Sequence, residues 1–346
     1  MPRKNYQRLF YVAIAILILI FSLELLKSSA GAVAPDLEEL LVFVDNSRGA
    51  LGFGWLMSYV VMSGYPVTVL SISFLDAGVF NELFTFLMIN GSRLGASLIV
   101  ILIGVVSSLK GGEKDIVEGS SIGFLTLIVT YSIQIPAIFL GLVLLQWSAI
   151  DFTPNLGFLV VLSNLYDPMV SPILNYIGPL VGVPLSLAIL YFSLTVFEKA
   201  FKGVQIESFK SSWINFLMEK THYSFLLGAA ITLLSQTVAL SIGIVVPLYM
   251  KGFVQRKNLV PYIMGACITT FGGTLAAAFI LRSQVGINIS LIVILSTFLI
   301  SGFFLIVYRY YHKAILATTN FFLKKNERLV FLAFLMFIVP FLLLLF

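Results

Sequence analysis

Long apolar runs separated by short polar breaks dominate the chain. Stretches at 9–27, 82–107, 119–147, 172–197, 259–281, 286–308 and 329–346 match the roughly 20 residues that an α-helix needs to cross a hydrocarbon core about 30 Å thick. A membrane β-barrel would alternate apolar and polar side chains. Here the runs are continuous, as in Tyr11–Phe21 and Leu98–Val106, which predicts helices. Two further apolar stretches, 51–77 and 224–250, are interrupted at their centres by Ser63-Gly64-Tyr65-Pro66 and by Ser235-Gln236-Thr237. Half of such a stretch reaches only about 20 Å as helix, so neither can cross twice. Each is either one kinked crossing or a re-entrant hairpin. The first apolar run follows a basic start, Pro2-Arg3-Lys4, but Glu24 and Lys27 come after it. It reads as a retained helix rather than a signal peptide, despite Ser29-Ala30-Gly31.

Composition agrees with this pattern. Residues of the AVILMFWYC set make up 59% and charged residues 11% of the 346, with a mean hydropathy of +1.03. Soluble domains carry about 25% charge, so water cannot cover most of this surface. The lone Cys267 excludes an internal disulfide, and two histidines argue against a His-based zinc site.

The placement of charge selects between the two topologies. With a cytoplasmic N-terminus and both interrupted stretches re-entrant, 17 of the 21 Lys and Arg residues fall on the inner side. Only Lys27, Arg48, Arg93 and Arg282 remain outside or within the membrane, and the outer loop 148–171 holds none. Single crossings by both stretches would instead put the basic loops 198–223 and 309–328 outside, against the positive-inside rule. The re-entrant topology follows: a multi-pass protein of the cell membrane with an external C-terminus. Non-helical backbone at that depth persists only where protein buries it or a wet cavity bathes it. The same asymmetry explains the pI of 9.2, so nucleic acid is not indicated as a partner.

Shifting the chain by 174 residues aligns Gly54 with Gly228, Gly78 with Gly252, Ile89 with Ile263 and Gly91 with Gly265. The order of elements repeats too: spanning helix, amphipathic connector (Asp36–Asn46 and Val204–Lys220), hairpin, glycine turn, and a spanning helix with a polar interruption. The first unit enters from inside and the second from outside. Inverted repeats of this kind build secondary transporters with a site near the midplane. The predicted organisation is an all-α polytopic membrane protein. Its first inverted repeat is 1–118, with hairpin 51–77 and broken helix 82–107. A connecting helix and outer loop occupy 119–171. The second repeat is 172–285, with hairpin 224–250 and broken helix 259–281, and C-terminal helices fill 286–346.

The second repeat reads Gly228-Ala229-Ala230-Ile231-Thr232-Leu233-Leu234-Ser235-Gln236, then Val245-Val246-Pro247-Leu248, Gly252 and Pro261-Tyr262-Ile263-Met264-Gly265-Ala266. This resembles the type II sodium–phosphate cotransporter family, whose two inverted repeats each carry a Gln-Ser-Ser-Ser hairpin tip followed by a Gly-Ala-Asn element. Gln236 and Gly265 keep that spacing. The resemblance covers about 15–110 and 187–285, and it implies sodium-coupled transport of phosphate or a similar small anion. The sequence departs at the tips. Thr237-Val238-Ala239 replaces the three serines of the second, Met62-Ser63-Gly64-Tyr65 forms the first, and Arg93 and Cys267 stand at the family's Asn positions.

Half-helix N-termini and tip hydroxyls suit an anion, and freed oxygens suit sodium. The expected substrate residues are Ser63, Gly64, Tyr65, Ser92, Arg93, Gln236 and Thr237. The expected ion ligands are Ser63, Thr68, Ser97, Ser235, Gln236, Thr269 and Thr270, with Thr274 beside them. Each such hydroxyl could instead bond to the carbonyl four residues back or tie helices together. An arginine within an apolar span needs a cavity or a partner. Arg93 either grips an anion with its planar fork, stands in for a bound cation, or pairs with Glu24 or Asp76. Glu24 itself is expected to reach the headgroups. No P-loop, His-Glu-x-x-His motif or pair of intramembrane aspartates points to an enzyme, and no cofactor is implied. Two readings stay open beside phosphate transport: another solute or an uncoupled path, and a non-transporting scaffold or regulator on the same fold. Homo-oligomer formation is left undecided.

Overall fold

The computed structural model describes residues 2–40, 44–108, 113–147, 150–155, 157, 165–201, 216–250, 252 and 254–346. No strand occurs among them. The helices are α1 (Pro2–Leu40), α2 (Ser47–Val61), α3 (Gly64–Asp76), α4 (Glu82–Ser108), α5 (Glu113–Gln146), α6 (Asp167–Ile177), α7 (Pro179–Phe201), α8 (Thr221–Ser235), α9 (Val238–Met250), α10 (Arg256–Thr269), α11 (Gly272–Leu281), α12 (Gln284–Ile306), α13 (Tyr308–Leu323) and α14 (Asn326–Leu345). Seven spans are long and apolar enough to cross a membrane, and they fall in α1, α4, α5, α7, α10–α11, α12 and α14. This is the architecture of an all-α, multi-pass membrane protein.

Short helices pack in two sets of three. Along α2 and α4, a Cβ at Gly91 would lie 2.1 Å from the Leu51 carbonyl oxygen and one at Gly95 would lie 2.3 Å from that of Trp55. Contacts that rise together in both helices make α2 and α4 parallel. Gly64 at the start of α3 touches Ser92 and Ala96, whereas Phe74 near its end meets Phe80, so α3 runs back antiparallel to α4. Therefore α2 and α3 fold against each other, with their turn beside the middle of α4. The second set repeats this. A Cβ at Gly265 would lie 2.0 Å from the Phe225 carbonyl oxygen and one at Gly228 2.0 Å from that of Tyr262, while Ser241 of α9 bonds Tyr262 Oη at 2.7 Å.

The residues in these contacts correspond at the 174-residue shift: Gly54 and Gly228, Met88 and Tyr262, Leu51 and Phe225, Gly91 and Gly265. Backbone conformation follows the same register. Met62 and Gln236 are both left-handed, at φ 53° and 60°, as are Gly78 and Gly252 at 79° and 75°. Glycine at these crossings removes the side chain that would hold the helix axes apart, which permits backbone-to-backbone van der Waals contact.

The surrounding helices complete the bundle. Ser193 bonds the Ala15 carbonyl at 2.7 Å and Gly182 packs on Ser29, so α7 is antiparallel to α1. Tyr59 donates to the Met336 carbonyl at 2.9 Å, seating α14 on α2. Two buried apolar clusters result. One joins α2–α4 to α1, α11 and α12 through Leu26, Ile72, Phe86 and Leu281. The other joins α8–α10 to α5 and α13 through Ile122, Val246, Met264 and Tyr311. One end of the bundle collects Lys220, Arg256, Lys257, Arg309, Lys313, Lys324, Lys325 and Arg328, as the Tyr308–Lys257 and Arg256–Asn320 bonds show.

Several expectations change. The helix expected to break within 82–107 is continuous from Glu82 to Ser108. Its small residues give close packing under α2 instead of a kink, whereas the counterpart does break, at Thr270–Phe271. The run at 172–197 divides at Gly178, whose φ of 79° ends α6 before α7 begins. The connector Asp36–Asn46 is in part a continuation of α1, and 204–215 of its counterpart, like 41–43, lies outside the described residues. The basic, aromatic run after 308 forms a separate helix, α13.

Gly91→Ala and Gly265→Ala are each expected to destabilise the protein by about 1–3 kcal/mol through overpacking. Gly31→Ala, at an exposed helix site with nothing within 4 Å, should be neutral or stabilising. Thermal unfolding in detergent checks this, and equal melting temperatures for all three variants would refute the crossing role.

Candidate functional site

The two turns define the site. After α2, Met62 turns left-handed and Ser63 is extended, with φ −164°. Pro66 then occupies the first turn of α3, where a missing N–H costs nothing. After α8, Gln236 turns left-handed and its Nε2 donates to the Leu233 carbonyl at 2.7 Å, capping that helix. The Thr237 hydroxyl accepts from the Leu240 amide at 3.2 Å and starts α9. A non-glycine residue at positive φ costs on the order of 1–2 kcal/mol. Both turns carry it at the same relative position.

The turns meet at a cavity of about 330 Å³. A Cβ at Gly273 of α11 would lie 2.4 Å from Gln236 Oε1 and 2.8 Å from the Tyr65 ring. That glycine lets a residue from each turn approach the same point. The Thr68 and Thr274 hydroxyls bond at 2.9 Å and tie α3 to α11. Helices α3, α9 and α11 all present their first turns to the cavity, through Gly64 and Tyr65, through Val238, and through Thr274. Each N-terminus acts as roughly half a positive charge.

Arg93 adds a full charge. It reaches the cavity from the middle of α4 while only 5% exposed. Its Nη2 lies 3.6 Å from Cys267 Sγ, a weak acceptor, and its Nε has no partner. No Asp or Glu is found among the described residues lining the cavity. The expected pairing of Arg93 with Glu24 or Asp76 is not what the structure shows. Glu24 binds Arg282 at 3.3 Å, and Asp76 binds Ser283 and approaches Lys27 at 3.9 Å. Glu24, expected among the headgroups, is 3% exposed, because Arg282 gives it an internal partner. Helix C-termini reach the same cavity, α2 at Met62, α8 at Gln236 and α10 at Thr270, so the helix-end charges offset, and it is Arg93 without a carboxylate that suits this cavity to an anion.

All seven residues expected to contact substrate line this one cavity: Ser63, Gly64, Tyr65, Ser92, Arg93, Gln236 and Thr237. Of the expected ion ligands, Thr68 and Thr270 join Ser63 and Gln236 there, and so does Thr274. The other three lie off it. Ser97 donates to the Leu94 carbonyl at 2.5 Å, Ser235 to that of Thr237 at 3.0 Å, and Thr269 to that of Ala229 at 2.8 Å. Their hydroxyls satisfy backbone and join helices. The wall from α7, Tyr191 and Thr195 with Leu194 between them, was not anticipated. The i, i+4 spacing of its two polar residues in an apolar helix was the available signal.

Gly273→Ala is expected to push Tyr65 and Gln236 apart and to weaken phosphate binding to the purified protein, read by calorimetry, at least severalfold, with little change in melting temperature. Unchanged binding would remove the contact from the site. No match to the chain is found among protein-family models, curated proteins or solved structures.

Proposed function

We propose that this protein is a secondary active transporter that carries phosphate or a similar small oxyanion by alternating access, with sodium as the coupling ion. The observation that carries this reading is the site itself: a buried arginine without a carboxylate, facing a cavity lined by polar side chains of both turns. At about 30 Å³ per water, a 330 Å³ cavity has room for a hydrated oxyanion. A scaffold that had lost transport would be expected to fill such a space with apolar side chains. A buried cation without an acidic partner is costly unless a ligand neutralises it.

The reading includes the membrane topology. Helices α2, α3, α8 and α9 have 15, 13, 15 and 13 residues, or about 20 Å each, too short to cross. Their turns lie beside the middles of α4 and of the α10–α11 span, which supports two re-entrant hairpins. From the start of α2 to the start of α8 the chain would cross three times, in α4, α5 and α7, so the two sets would sit inverted in the membrane, and the basic end of the bundle would be cytoplasmic. The resemblance to type II sodium–phosphate cotransporters supports the substrate class and the coupling ion. Oxygens of Ser63, Thr68, Gln236, Thr270 and Thr274 are the candidate sodium ligands.

Labelled phosphate is expected to enter proteoliposomes holding the protein, faster under an inward sodium gradient. Arg93→Gln should reduce that uptake at least tenfold, the scale of losing a charge-assisted hydrogen bond of about 1.5–3 kcal/mol. No uptake with or without the gradient would overturn phosphate as substrate. Normal uptake by Arg93→Gln would overturn the anion role of the arginine.

A further inference from the structure

Five polar side chains at the end of the bundle opposite the basic face form a network that none of the site chemistry requires. Glu24 and Lys27 come from α1, Asp76 from the last turn of α3, and Arg282 and Ser283 from the α11–α12 turn. Arg282 Nη2 contacts both Glu24 oxygens, at 3.3 and 3.4 Å. Ser283 Oγ donates to Asp76 Oδ1 at 2.5 Å, and Lys27 lies 3.9 Å from the other Asp76 oxygen. Lys27 also donates to the Leu281 carbonyl at 2.5 Å, at the C-terminus of α11. Arg282 is held left-handed at φ 59°, which turns the chain sharply into α12. The network therefore clamps α3 and α11, which both line the cavity, to α1.

Toward the clamp the lining of the cavity is buried: Thr68 is 4%, Phe271 2% and Thr274 2% exposed. At the level of the turns Met62 and Tyr191 are 48% and 49% exposed, and farther from the clamp Ile99 and Val100 are buried again. On α4 the lining continues past Arg93 to Ile99 and Val100, and on α7 it reaches Thr195, both toward the basic end. The Thr68–Thr274 bond forms a second layer between the cavity and the clamp.

We propose that Glu24, Lys27, Asp76, Arg282 and Ser283 form the outer gate of the transport path, shut in this structure while the cavity faces the basic side. The proposal rests on the alternating-access reading. To expose the site at the other end, α1, α3 and the α11–α12 turn must part: Lys27–Asp76 joins α1 to α3, Ser283–Asp76 joins α3 to the turn, and Glu24–Arg282 joins α1 to the turn. Ion pairs and short hydrogen bonds suit such a gate, since water can solvate each half when it opens, which it could not do for a packed apolar seal.

Cysteine accessibility tests this without needing to know the substrate. Ser63→Cys in a Cys267→Ser background provides a reporter in full-length protein, reconstituted in oriented proteoliposomes. A membrane-impermeant thiol reagent is expected to label it at least tenfold faster from the basic face than from the other. With Glu24→Gln and Asp76→Asn added, labelling from the clamp face should rise at least tenfold and labelling from the basic face should fall. If that variant does not fold, Asp76→Cys with Ser283→Cys gives an independent test. A short bis-methanethiosulfonate reagent, which joins the two cysteines through disulfides as sulfinate leaves, should stop labelled-phosphate uptake, and reductant should restore it. Equal labelling from both faces with the clamp intact, an unchanged ratio in a folded clamp variant, or full uptake after crosslinking would each overturn the gate. Absence of phosphate uptake by the unaltered protein would bear on the substrate alone.

Discussion

Everything at the centre of this protein depends on two helix crossings at which glycine meets a carbonyl. Helices of 13 to 15 residues cannot span a bilayer, and their turns expose backbone groups that lipid cannot satisfy. Such turns persist only if each short helix is fastened along a longer one. Gly54, Gly91 and Gly95 do this between α2 and α4, and Gly228 and Gly265 do it between α8 and α10. Because the contacts are backbone to backbone, they fix height as well as direction. The height brings two turns from distant parts of the chain to one cavity.

That fixed placement lets two turns of unlike composition line one cavity. The turns do not share side chains: Met62, Ser63 and Gly64 form one, Gln236, Thr237 and Val238 the other. Left-handed geometry at Met62 and Gln236 is common to both. Geometry therefore supplies the shared element, namely a left-handed turn between two short helices at the same volume, and side chains add what distinguishes the halves. The single full charge among them is Arg93.

Much of this was legible in sequence because bilayers restrict what apolar runs can do. Seven crossings and two interrupted stretches follow from length alone, and 174-residue spacing of glycines located the crossings before any contact was known. Cavity-lining residues at the turns were readable for the same reason, since a polar break in a hydrophobic run marks a turn. What escaped depended on partners remote in sequence. Ser97, Ser235 and Thr269 look like ligands until their backbone acceptors are known. The break expected within 82–107 fails because the same composition serves packing. Nothing local in Glu24 or Arg282 announces that they meet across 258 residues, and Tyr191 and Thr195 become wall residues only once α7 lies against α1.

The Arg93–Cys267 contact has a consequence for symmetry. These residues stand 174 apart, the register that relates the two sets of helices, yet they touch. Corresponding positions can touch only where the relation between the halves has its axis. Two arginines there would set like charges about 4 Å apart, a repulsion of about 4 kcal/mol at an effective dielectric constant of about 20. Two cysteines or two asparagines would fit, but a second guanidinium would not. A lone cation at this point thus requires halves of unequal sequence within one chain, and it polarises the cavity toward α4. An assembly of two identical halves could hold a symmetric pocket there, but not this one.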